Sequence, residues 1–76
     1  MLKADGFDKA IIGQTYDMVV SEERLIYSVE KCVEILVERD GMTSEEAIEY
    51  MDFNVLRAYI GKDQPVFLRE EYEEDL

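Results

Sequence analysis

The stretch GMTSEEAIEYMDFN, residues 41–54, spaces Glu45, Glu49 and Asp52 at i, i+4 and i+7. On a helix all three carboxylates share one face, with Glu46 off to the side. Two chemistries suit such a row. Oxygen ligands can hold Mg²⁺ or Ca²⁺, and a regular line of negative charge can meet a basic surface. The first is a poor fit. Carboxylates one helical turn apart are too far apart for one ion without a second element, and DMVVSEE (17–23) lacks the Ca²⁺-loop spacing. No metal and no cofactor is therefore expected. The plain alternative is a solvated helix face, because charge of one sign keeps a small protein dispersed.

The pattern recurs. Glu30, Glu34 and Glu38 stand at i, i+4 and i+8, and the C-terminus adds Glu70, Glu71, Glu73, Glu74 and Asp75. Like charges at i, i+4 cost a few tenths of a kcal/mol each, and no run of lysines offsets either row. Acids one turn apart lie ~5–6 Å from each other, a spacing comparable to phosphates along a strand. A nucleic-acid mimic is thus physically open, with solubility the competing explanation.

Other catalytic chemistry is sparse. The chain has no histidine, which removes the commonest general base and metal ligand. There is no Ser-His or Cys-His pair, phosphate-binding glycine loop or zinc spacing. Cys32 falls on an apolar stripe and is expected to be a small buried hydrophobe rather than a nucleophile. The chain is expected not to be an enzyme.

The acids must be carried by few elements. Ala10-Ile11-Ile12 and Met18-Val19-Val20 are short apolar runs with strand character, SEER reads as a turn, and residues 24–27 (RLIY) form a second strand candidate. An antiparallel hairpin follows. Ser28 is the N-cap of a helix over 29–39, with Val29, Cys32, Val33 and Leu36 inward and Gly41 closing it in the left-handed conformation. Thr43 and Glu46 form a capping box for a second helix, helix B, with Met42 ahead of it as an apolar staple. Its core stripe is Ala47, Ile48, Met51, Val55 and Ala58, and Gly61 ends it. Residues 62–64 turn, Pro65 blocks further helix, and 65–68 (PVFL) is an edge strand. The expected fold is α+β in β-β-α-α-β order: a short antiparallel sheet with two helices on one face, residues 1–69, followed by an acidic tail over 70–76 expected to fray.

A second feature is apolar. Phe53, Leu56, Tyr59 and Ile60 lie on the side of helix B away from its core stripe. Either the sheet or the C-terminal strand covers them, or they form an interface, in its functional version a homodimer seam.

The totals narrow the classes. Seventy-six residues make one small domain, able to bury only about 60% of its unfolded surface. The net charge of −11 repels nucleic acid and anionic membranes and attracts basic partners. One cysteine rules out an internal disulfide, and no apolar run approaches a membrane span. A reducing cytoplasm is the expected compartment.

The segments GFDKAIIG (6–13), LIYSVEKCVEIL (25–36), GMTSEEAIEYMDFNV (41–55), AYIG (58–61) and PVF (65–67) resemble a family of short proteins from tailed bacteriophages, over residues 6–68. Arg57 and the acidic extension depart from that family's pattern. The resemblance implies the cytoplasm of an infected bacterium and no catalytic residue. The expected function is a non-catalytic accessory protein that blocks a basic host protein of the nucleic-acid-binding kind, such as a defence nuclease (CRISPR effectors included) or a transcription or replication protein. The alternative is an assembly module working through the apolar side of helix B.

Overall fold

A computed structural model describes residues 2–16, 23–61 and 63–71 of the chain. The order is a single 3₁₀ turn (Asp8–Ala10), β1 (Ile11–Gln14), β2 (Leu25–Ser28), α1 (Val29–Asp40), α2 (Ser44–Tyr50), a π turn (Met51–Val55) and β3 (Val66–Leu68). This is the expected α+β arrangement. The run Met18–Val20, the tip of the SEER turn, Lys62 and the acids Glu73, Glu74 and Asp75 lie outside the described residues.

β1 and β2 pair antiparallel. The register advances two residues on β1, Ile11 to Gly13, for one on β2, so Ile12 is the extra residue of a β-bulge. Beyond the strand, the Thr15 amide donates to the Arg24 carbonyl at 2.8 Å and the Arg24 amide to Thr15 Oγ1 at 2.9 Å, which prolongs the pairing. The third strand departs from expectation. β3 takes the edge beside β2 but runs parallel to it, so the sheet is mixed. The two helices between β2 and β3 bring the chain back to the end of the sheet from which β2 set out.

β2 runs into α1 with no loop between them. Ser28 is the last strand residue and also the N-cap, its Oγ accepting from the Lys31 amide at 3.1 Å. Gly41 ends α1 at φ 70°, and the amides of Gly41 and Met42 both return to the Leu36 carbonyl. The capping box of α2 is complete. Thr43 Oγ1 accepts from the Glu46 amide at 3.1 Å, and Glu46 Oε1 accepts from the Thr43 amide at 3.0 Å. That second bond holds the Glu46 carboxyl below the usual carboxylate range.

The core is Ala4, Phe7, Ala10, Tyr27, Cys32, Leu36, Ala47, Met51 and Val55. Three of these come from the N-terminal segment, which the sequence pattern left without a role in the core. Tyr27 is fully buried and its hydroxyl oxygen accepts from the Ala4 amide at 2.9 Å, tying that segment to the sheet. Arg39 ties it to α1: Nη1 donates to the Gly6 carbonyl at 2.7 Å, and the guanidinium sits 5.7 Å from the Phe7 ring centroid. Gly6 has φ 87°, a conformation that favours glycine, and a Cβ there would approach the Arg39 Nη1 tip at 3.0 Å and press on its bond to the Gly6 carbonyl.

Candidate functional site

Helix B does not continue as an α-helix. After Tyr50 it widens into the π turn, marked by the Leu56 amide donating to the Met51 carbonyl at 2.8 Å, five residues back. An inserted π turn changes the angular advance along the helix, and such turns are frequent at functional sites. The expected core stripe holds only in part, with one departure (Ile48) ahead of the π turn and one (Ala58) after it. Ala47, Met51 and Val55 are buried, but Ile48 is 48% exposed and Ala58 is exposed. The apolar set on the other side is divided too. Leu56 and Tyr59 are half-buried against the core, with the Tyr59 ring 6.2 Å from Phe67 of β3. Phe53 and Ile60 stay 60% and 75% exposed, and Arg57 lies over the Phe53 ring at 4.9 Å.

Between α1, helix B and β3 opens a half-open cleft of about 630 Å³. Its apolar walls are Val29 and Val33 of α1, Ile48 and Met51 of helix B, Leu56 and Phe67. Four charged side chains complete it: Glu30, Asp52, Glu71 and Arg69. Each of the three acidic groups marked in the sequence thus contributes one member, from three segments distant in the chain. Leu56 joins them from the apolar set. The other acids are not brought together there. Glu34, Glu38 and Glu45 are exposed elsewhere, and Glu49 borders a shallow depression with Met42, Glu46, Tyr50, Phe53 and Asn54. Arg69 and Phe67 carried no signal in the sequence that would place them at the cleft. Val29, Val33 and Ile48 read as ordinary core positions.

Glu30 has a second task. Its Oε1 accepts from the Glu70 amide at 2.9 Å, so the first residue of the acidic tail is tethered to the first turn of α1. That bond, more than any nearby charge, holds the Glu30 carboxyl below its ordinary range. The contribution to stability is present above the unfolded-chain carboxyl value and is lost as pH falls through the lower, folded one. In a pH titration followed by NMR, the Glu70 amide proton is expected to move along a curve displaced to more acid pH than that of a free glutamate. Glu30→Gln should abolish the displacement. An unshifted glutamate curve at Glu70 would show that the tether does not form.

Among the described residues the sole ion pair is Arg39 with Asp40, at 2.9 Å. Also among the described residues, no three of His, Cys, Asp and Glu approach closely enough to hold a metal ion, and no helix is long and apolar enough to cross a membrane. The Cys32 thiol is fully buried, and burial pushes it up to about 11. No family model, curated protein or solved structure matches this chain.

Proposed function

We propose that this chain is a non-catalytic binding protein that docks on a basic partner and blocks it. The observation that supports this function is the unpaired state of the acidic rows. Among the described residues only Asp40 has a cationic partner, while Glu34, Glu38, Glu45, Glu49 and Asp52 face solvent. Within the chain the rows cost stability through like-charge repulsion. A partner rich in Lys and Arg removes that cost on binding and is steered toward the surface by a net charge of −11. Nucleic-acid-binding proteins carry such surfaces by necessity. With the resemblance of residues 6–68 to tailed-phage proteins, the partner we propose is one of an infected bacterium, and the role is anti-defence or host-takeover inhibition.

Affinity capture from a bacterial lysate tests this, with elution along a salt gradient and mass spectrometry of the eluate. A nucleic-acid-binding protein is expected to leave at moderate salt, and the combined Glu45→Lys, Glu49→Lys, Asp52→Lys variant is expected to lose it. A second function is favoured by the exposure of Phe53 and Ile60: assembly through that side of helix B, in the simplest case as a homodimer. Retention of the protein's own copies alone, through high salt and in the charge-reversed variant, would replace the first function with this one.

A further inference from the structure

The cleft between α1, helix B and β3 combines two features that the acidic rows alone lack. It is walled by six apolar side chains, and its charged members are three acids to one base. Its volume of about 630 Å³ falls inside the ~300–1,000 Å³ range of sites that bury whole ligands. Ile48 stands 48% exposed at its wall, and the π turn supplies Met51 and Asp52 to it. A helix continued as α through this region would present the residues after Met51 at different angles.

We propose that this cleft is an anchor pocket for a segment of the basic partner: a large apolar side chain flanked by Lys or Arg, with the apolar group between Val33, Ile48 and Phe67 and the cations on Glu30, Asp52 and Glu71. Charge selects this occupant over the other two available. A second copy of the chain carries the same net −11 and would bring acids against acids. The chain's own C-terminus brings Glu73, Glu74 and Asp75, again the sign of the rim. A basic segment burying an apolar residue gains on both counts, and a central apolar anchor with a polar rim is the usual anatomy of a binding hot spot.

The inference rests on the function proposed above, and the two can fail separately. The probe is a synthetic peptide alternating Lys/Arg pairs with Leu/Phe pairs. Its control keeps the cations and replaces Leu and Phe with serine. Binding to the full chain is followed by amide chemical shifts at ~0.15 M salt, where long-range attraction is screened. The apolar peptide is expected to shift the amides of Val33, Ile48, Asp52 and Phe67, and to bind about tenfold tighter than the serine control, a difference of ~1.4 kcal/mol. Ile48→Ser, at an exposed position that the fold does not need, is expected to erase that difference while leaving the control's affinity unchanged. Asp52→Lys should weaken both peptides. Equal binding of the two peptides, with shifts spread over Glu34, Glu38 and Glu45, would overturn the anchor pocket and leave the acidic-docking function standing. Cleft amides that move with protein concentration in the absence of peptide would assign the cleft to a second copy and also overturn the inference. Absence of binding by either peptide would overturn it as well, and the lysate capture would then decide the broader function alone.

Discussion

Tyr27→Ala is expected to leave the chain unfolded at room temperature, and Tyr27→Phe to leave it folded but markedly less stable. Tyr27 is fully buried at the centre of β2, its ring stacked on Phe67 of β3 at 5.5 Å and its hydroxyl oxygen accepting from the buried Ala4 amide. Truncation to alanine removes the ring from between the N-terminal segment and β3, and a loss of this kind costs ~3–5 kcal/mol. A core of this size rarely supplies more than ~3–5 kcal/mol in total, so the two magnitudes meet. Phenylalanine keeps the packing but strands the Ala4 N–H in a dry site, at a cost of ~1–3 kcal/mol. Thermal unfolding followed by circular dichroism checks both, at ~4–8 °C of midpoint per kcal/mol for a domain of this length. A Tyr27→Phe midpoint equal to that of the parent would mean that the hydroxyl bond contributes nothing and that the N-terminal segment is held by packing alone.

The Cys32 thiol is expected to react with a disulfide reagent about two to four orders of magnitude more slowly in the native protein than in denaturant, since reagent must wait for opening and a stability of ~3–5 kcal/mol sets the open fraction. Both burial and chemistry protect it. Its side chain is fully covered, and the raised value of about 11 leaves little thiolate at neutral pH. The same shift carries a sign for stability. Cys32 and Tyr27 both titrate higher when folded, because burial disfavours their charged forms. The stability that they contribute is present in full below the unfolded-chain values. It is lost as pH rises from the ordinary thiol value of 9.0 toward about 11, Tyr27 adding its loss above 10.0. Cys32→Ala should therefore blunt the first part of the alkaline decline. Rapid labelling of native Cys32 at neutral pH would contradict the burial. In the Tyr27→Phe protein the logarithm of the labelling rate should rise in proportion to the stability lost, about tenfold per ~1.4 kcal/mol, which links the two measurements.

The sequence by itself determined the parts of this protein whose physics is local. A Ser28 N-cap, the Thr43 and Glu46 capping box and the Gly41 terminator each depend on a few neighbouring residues, so both helix starts and the end of α1 were legible in the chain. So were the β-β-α-α-β order, the edge position of the last strand, the burial of Cys32 and the acidic character of the surface. The direction of β3 was not legible, because a three-residue strand is placed by the helices that return the chain to the sheet and not by its own residues. The N-terminal segment reached the core through Ala4, Phe7 and Ala10, whose partners Tyr27 and Arg39 lie far along the chain. The π turn escaped because an i+5 bond at Met51 leaves no residue signature, and it altered which side of helix B faces inward beyond Met51. Only the tertiary structure gathered Glu30, Asp52 and Glu71 around one apolar cleft, since three segments meet there through packing between elements that no spacing within any one of them encodes.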